Sequence, residues 1–312
     1  MMVLRRLAAS IPLILLATVI TFALVFFIPG DPAARIAGEG ATPEQIAQVA
    51  DDLGLDRPVA VRYLDFVGDA ARGDLGTSYT FRTPVREMIV QRLPVTLSLT
   101  LVAVVMALLM GLPAGIYAAR RAGRWQDRAA TAVTTFGLAT PNFVLGLLLI
   151  LGLSIQLEWF PATGYMPMSE GFGLWLKHLI LPGLALGVVA AAEIARQLRG
   201  SLIDVLKQDY IRTAVAKGLS PVSVVWKHAL KNACMPVITV LGMQIAFLLG
   251  GTAVVESIFG IKGLGDFAVQ SVMSRDLPAI QGMVIFAVLV TILASLVVDI
   301  AYGWLNPKVR TS

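Results

Sequence analysis

LPVTLSLTLVAVVMALLMGLPAGIYAA, residues 93–119, runs for 27 positions without a charged side chain. At about 1.5 Å of rise per residue, a helix of that length crosses the roughly 30 Å hydrocarbon core of a bilayer. Four further uncharged runs clear the roughly 20 residues that a crossing needs: Leu7–Pro29, Ala129–Leu157, Ala233–Val255 and Leu277–Val298. A sixth, His178–Ala192, holds 15 residues and reaches spanning length through Glu193, Ile194 and Ala195, with its charged end at the interface. The expected fold is all-α and integral to a membrane, with six transmembrane helices.

Composition agrees. Of the 312 residues 57% are hydrophobic and 14% charged, with a mean hydropathy of +0.78, whereas a soluble domain carries about a quarter charged residues. The single cysteine, Cys234, excludes an internal disulfide framework, and His178 and His228 are too few and too far apart for a metal site. The net charge of +5 is spread between apolar runs and not gathered into one groove, so it points to membrane topology and away from nucleic acid. The N-terminus, with Arg5 and Arg6 ahead of a 23-residue apolar run, exceeds a cleavable signal core of roughly 7–15 residues. It reads as a retained first span, residues 1–30.

Lysine and arginine distribution sets the expected orientation. Arg120, Arg121, Arg124 and Arg128 lie between the second and third runs, opposed only by Asp127. The connection Arg196–Lys231 holds seven basic and two acidic residues. Both connections are expected on the cytoplasmic side, with Arg5 and Arg6 and the C-terminal tail 306–312, which carries Lys308 and Arg310. Glu158–Lys177, with one basic residue, and Gly30–Arg92, with seven basic and ten acidic, are expected outside.

The outer loop, residues 31–92, carries helix signals. Thr42 and Gln45 form a capping-box pattern around Pro43, Ile46, Val49 and Leu53 share a face, and Gly54 marks the stop. Val59, Tyr63, Phe66, Val67 and Ala70 fit a second helix, so a small helical cap is expected. Within the spans, Gly111 and Gly115, and Gly183 and Gly187, stand four apart and predict close helix packing within the chain. Pro113, Pro141 and Pro182 are expected to interrupt helices.

The core from 93 to 305 contains one segment, residues 201–231, too polar for the bilayer and too patterned for a tether. Ser201–Lys217 puts Ile203, Leu206, Tyr210 and Ala214 near one helical face; Gly218 stops that helix, Ser220 caps the next and Pro221 enters its first turn. Val222, Val225, Trp226, Ala229, Leu230 and Ala233 then recur as one apolar stripe. The expected shape is a helix, a glycine turn and another helix. Residues alone leave open a basic amphipathic hairpin lying on anionic lipid.

The stretch Arg212–Gly218, RTAVAKG, followed by LSPVSVVWKHALKNACMPVIT, resembles the coupling loop of binding-protein-dependent ABC importer permeases, the EAA-loop family, in its dipeptide, oligopeptide and nickel variant. Ala214 and Gly218 match the general pattern. Arg212 and Thr213 replace its first two residues, and Lys231 stands where many relatives have proline; these departures fit the peptide variant. Pro29-Gly30-Asp31-Pro32, Leu53-Gly-Leu-Asp-Arg-Pro58, Arg72-Gly-Asp-Leu-Gly-Thr-Ser78, Arg92-Leu-Pro94 and Glu256-Ser-Ile-Phe-Gly-Ile-Lys-Gly-Leu-Gly265 are similar, in order, to the B-type subunit of that family.

The resemblance implies a type I importer permease in a bacterial plasma membrane, carrying peptides, or else nickel or glutathione. Implied partners are a second homologous permease subunit, two cytoplasmic ATPase subunits or domains and an extracytoplasmic solute-binding protein that docks on the outer loop and Ser257–Ala279, besides membrane lipid. ATP and Mg belong to the ATPase partners, because none of the seven lysines is followed by Ser or Thr as a phosphate-cradling loop requires. The chain itself is expected to bind no cofactor and to catalyse nothing. Arg212, Thr213, Ala214, Lys217, Gly218, Leu219, Ser220 and Pro221 would form the ATPase-coupling loop.

Two other classes predict different features. An ion-coupled carrier needs ionisable groups deep in the membrane; Glu193, Glu256 and Asp299 each lie near a predicted span end, and Glu193 and Arg196 are spaced to pair across a turn. A serine hydrolase would use a Gly-x-Ser-x-Gly turn, and the sequence has none.

Overall fold

The computed structural model describes residues 2–23, 32–38, 40–52 and 54–305. Pro29-Gly30-Asp31, Leu53, Lys308 and Arg310 lie outside the described residues. Among those described the chain is helical, and its one β feature is an isolated antiparallel bridge between Thr77 and Pro84. The helices are α1 (Met2–Ala23), α2 (Pro32–Ala37), α3 (Pro43–Asp52), α4 (Val59–Ala71), α5 (Val85–Arg120), α6 (Trp125–Ala139), α7 (Asn142–Leu149), α8 (Phe172–Leu206), α9 (Asp209–Ala216), α10 (Pro221–Ser223), α11 (Leu230–Ala233), α12 (Met235–Gly251), α13 (Ala253–Ile258), α14 (Leu264–Met273) and α15 (Leu277–Leu305).

Single helices long and apolar enough to cross a bilayer are α5, α8 and α15. The third apolar run is broken within its length, and the fifth meets the preceding hairpin arm at a bend. Residues 125–139 and 142–156 meet at 98°, and residues 221–233 and 235–250 at 54°. The first break falls at Thr140-Pro141, where Thr140 is extended (φ −85°, ψ 120°) as a residue before proline prefers. Pro113 and Pro182, expected to interrupt, instead sit inside continuous α5 and α8. The first run contributes the shorter apolar stretch Ser10–Ala23.

The chain divides into two compact units, Met1–Leu93 with Phe267–Leu289 and Pro94–Asp266 with Val290–Ser312. In the first, the local signals fold as read. The Thr42 amide donates to Gln45 Oε1 at 2.9 Å and the Gln45 amide to Thr42 Oγ1 at 3.3 Å, a reciprocal capping box at the start of α3. Phe22 of α1 packs edge-on against Tyr63 of α4, with ring centroids 5.5 Å apart, and against Phe66 at 5.9 Å. Asp276, 1% exposed, accepts from Ser78 Oγ at 2.5 Å and from the Tyr79 and Thr80 amides at 3.2 and 3.1 Å. That carboxylate thereby ties the Gly-Thr-Ser78 turn to the start of α15.

The second unit is built on α5 and α8. Each of the four paired glycines lies where the other helix passes: a Cβ on Gly111 would stand 2.7 Å from Ala191 O, and one on Gly115 2.9 Å from Ala195 O. From the other side, a Cβ on Gly183 would stand 2.6 Å from Val102 Cγ1 and one on Gly187 2.9 Å from Ala103 O. The contacts advance together along both helices, so the pair is parallel. Helices α6, α7 and α12 pack on α8. One apolar cluster, around Leu99, Leu179 and Phe259, fills one end of this unit, and a second, around Ile194, Leu198 and Val225, fills the other.

Candidate functional site

The segment after α8 is a packed hairpin. Helix α8 ends at Leu206, and α9 begins at Asp209 after a break at Lys207-Gln208, so Ser201–Lys217 is two helices and not the single one expected. Gly218 (φ +78°) closes α9: its amide donates to Val215 O at 2.9 Å and the Leu219 amide to Ala214 O at 3.3 Å. This paired pattern is the Schellman cap, whose left-handed residue carries a penalty for any side chain. Two residues on, Ser220 Oγ accepts from the Ser223 amide at 3.3 Å, and Pro221 occupies the first turn. The backbone winds as a π-helix over Val224–Ala229 before α11. Asn232 Nδ2 donates to Tyr210 Oη at 2.8 Å, tying the two arms together.

The hairpin has an inner and an outer face. Ile211, Ala214, Val224, Val225 and Ala229 are buried against Ile194, Leu198 and Leu202 of α8. Tyr210, Val215, Leu219, Val222 and Trp226 are exposed, Trp226 by 60%. The apolar stripe expected through Val222 and Trp226 is therefore wrong at those two positions, because the π-helical winding turns Val224 inward. Among the eight coupling-loop candidates, Ala214 is buried and Arg212, Thr213, Lys217, Gly218, Leu219, Ser220 and Pro221 are exposed on the tip and outer side. A Cβ on Gly218 would meet nothing within 4 Å.

Polar contacts that sequence reading missed brace this hairpin and the opposite end of the same unit. Arg199 of α8 donates from Nε to Asp127 Oδ1 at 2.5 Å and from Nη2 to Oδ2 at 2.7 Å, and the Gly123 amide adds a bond of 2.9 Å. The Arg199 bonds hold the Asp127 carboxyl well below its usual range, at about 2. Glu193 takes Gln244 Nε2 of α12 at 2.5 Å, not the Arg196 expected. Glu256, expected at a hydrated span end, is 0% exposed. Its Oε1 accepts from Thr96 Oγ1 at 3.0 Å and Thr252 Oγ1 at 2.7 Å, and its Oε2 from the Asp266 amide at 2.8 Å. Gly263 and Gly265 lie against it where no side chain fits. The Gly-Ile-Lys-Gly-Leu-Gly265 run thus serves to wrap a carboxylate, a purpose that no spacing in the sequence discloses.

Comparison with known proteins agrees over the whole length. Residues 111–311 match the family described as binding-protein-dependent transport system inner membrane component, and residues 1–100 match the N-terminal part of such membrane components. A probable peptide ABC transporter permease of Sinorhizobium fredii is 38% identical over 99% of this chain and 98% of its own. The glutathione transport system permease GsiC of Salmonella choleraesuis is 44% identical over the same shares. Among solved structures, a chain of the inward-facing MetNI methionine ABC transporter superposes with a TM-score of 0.59, covering 70% of this chain and 96% of that one. At 20% identity that likeness concerns the fold.

Proposed function

This chain belongs to the family of binding-protein-dependent transport system inner membrane components, and we propose that its exposed hairpin couples it to an ATPase while it carries peptides inward. It is a multi-pass membrane protein and a non-catalytic permease subunit of an ABC importer. In the proposal, the Arg-rich end of the second unit and both termini face the cytoplasm of a bacterial inner membrane. The exposed tip Lys217–Pro221 seats in a groove of a cytoplasmic ATPase that holds ATP and Mg. A second homologous permease completes the path, and an external solute-binding protein delivers cargo to the 31–92 cap.

The observation that carries the coupling role is the two-faced hairpin: packed on α8 inside, capped at both sides of its turn, and exposed at its tip, with open space around Gly218. Leu219 and Val222, in and beside the turn that Gly218 and Ser220 order, are exposed, which fits a surface kept for a partner. The 201–231 segment would then pass ATPase closure along α8, to which its inner face is fixed. Leu219→Cys in a Cys234→Ser background, within the assembled importer, should cross-link to the ATPase and change in yield with ATP. Labelling of that cysteine by an impermeant reagent from outside the cell, or cross-linking to no ATPase, would end the proposal.

Peptides are the proposed cargo, on the permease relatives of that name. Glutathione is a second reading because its permease is the more identical at 44%, and it is itself a peptide. Competition between labelled dipeptide and glutathione for uptake separates them.

A further inference from the structure

The last turns of α5 form one wall of a half-open cavity of about 540 Å³, and Trp226 of the hairpin forms part of another. Its floor is apolar, with Leu108, Leu109, Leu112, Ile116 and Tyr117, and its rim is Arg120, Arg121 and Arg124. From Leu108 to Tyr117 the trough follows α5 for about 14 Å at 1.5 Å per residue. That is close to one leaflet, half of the roughly 30 Å apolar core. The charge is one-sided: no acidic residue lines the cavity. Arg120 and Arg124 have no carboxylate partner among the described residues. Asp127, the one acid of that connection, is taken by Arg199. Arg121 stacks over the Tyr117 ring at 5.3 Å, which holds its guanidinium at the rim.

We propose that this cavity is a binding site for one anionic phospholipid, with the phosphodiester between Arg120, Arg121 and Arg124 and an acyl chain in the trough beneath. Guanidinium groups match phosphate oxygens two at a time. Basic pockets beside membrane helices favour anionic headgroups over neutral ones. Tyr117 and Trp226, 48% and 60% exposed, supply the amphipathic rings that settle at headgroup depth. A free phosphate would use the rim and waste the trough, whereas a hydrocarbon would do the reverse. Only a molecule with both parts uses the whole site. Bound there, the lipid would join the hairpin helix carrying Trp226 to the end of α5.

The test is native mass spectrometry of the complete importer complex, extracted from vesicles of phosphatidylglycerol and phosphatidylcholine in equal amounts. The wild-type complex should retain one phosphatidylglycerol for each copy of this chain, about tenfold over phosphatidylcholine. Arg120→Gln/Arg121→Gln/Arg124→Gln should abolish the preference, and replacement of the same three by Lys should restore part of it. Leu112→Trp, which fills the trough and leaves the rim intact, should also release the lipid. Should the Gln variant fail to assemble, the Lys and Leu112→Trp complexes decide. Equal retention by the Leu112→Trp complex would show adsorption by charge alone and overturn the proposal. So would displacement of the lipid by inorganic phosphate, or a cross-link from a photoreactive residue at 112 to another protein subunit instead of lipid.

Discussion

Asp127 and Arg199, 72 residues apart, meet in a two-point ion pair in which the carboxylate is almost wholly buried and the guanidinium one third exposed. The pair joins the start of α6 to the part of α8 on which the hairpin rests. Removing one partner leaves the other without its match, and with the partial exposure of Arg199 the cost should be about 1–2 kcal/mol. Asp127→Asn should lower the thermal unfolding midpoint of the purified complex. Asp127→Asn/Arg199→Gln should lower it by less than the two single changes summed. The folded carboxyl titrates at about 2, below its ordinary 3.8. Its contribution is therefore complete above about pH 4 and is lost as pH falls through about 2. The gap in midpoint between wild type and Asp127→Asn should stay constant from neutral pH to about 4 and close below that; a gap constant down to pH 2 would contradict the assignment.

The Glu256 cage makes a sharper demand. A carboxylate offers acceptors to both threonine hydroxyls and to the Asp266 amide, whereas a glutamine must turn an NH2 toward one of these donors. Each donor left facing it costs about 1–3 kcal/mol. Glu256→Gln should therefore destabilise the protein although the two side chains are nearly the same size and shape. Gly263→Ala should do comparable harm, since its methyl would land on the carboxylate. Protein amount in membranes and unfolding midpoint measure both, and a Glu256→Gln protein as stable as wild type would mean that the cage is not what holds the 260–265 turn.

Features closed by neighbours in sequence were readable in advance, and those closed across the fold were not. The Thr42–Gln45 capping box, the Gly54 stop and the Gly218–Ser220–Pro221 turn depend on atoms within a few residues, so residue type and spacing specify them. Spanning runs were visible because the bilayer imposes length. The interruption at Pro141 was readable from the proline, but neither its 98° angle nor the bend at Cys234 was, because an uncharged run does not report its direction. Proline was no guide by itself, as Pro113 and Pro182 show. Glu256 read as a hydrated end because its run stops nearby, yet a turn ten residues later folds back over it. Glu193 found Gln244 on another helix before Arg196 on its own. Within the 201–231 segment the sequence located the turn at Gly218–Pro221; it misjudged Val222 and Trp226 because π-helical winding departs from the 3.6-residue period on which a stripe is counted.

The parallel contact of α5 and α8 depends on four glycines, and its two sides can be tested separately. A methyl on Gly111 or Gly187 would stand 2.7 or 2.9 Å from a backbone carbonyl of the facing helix, which cannot swing aside as a side-chain end can. Each substitution by alanine should cost about 1–3 kcal/mol as overpacking. Gly111→Ala/Gly187→Ala should cost less than the sum, because the first shift opens space for the second. Gly173→Ala, at the start of α8 with nothing within 4 Å, is the control and should be neutral or slightly stabilising. Equal unfolding midpoints for Gly111→Ala and Gly173→Ala would mean that the two helices are not in the contact described.

Gly218 offers the opposite case, a glycine with open space around it. Alanine there meets no atom of its own chain, so its cost within the subunit is the left-handed backbone alone, about 1 kcal/mol. Asparagine tolerates that conformation better and should cost less. The subunit therefore ranks the variants by backbone preference, with Asn ahead of Ala and Ala ahead of Trp by little. A tip seated in an ATPase groove ranks them by size, with Trp far worse than either. Unfolding midpoints of the isolated subunit should follow the first order, and uptake by the complete importer the second, with Gly218→Trp losing at least about tenfold, equivalent to 1.4 kcal/mol. Uptake that followed the backbone order, with the Trp variant near the Ala variant, would place the tip in solvent and remove it from the coupling path.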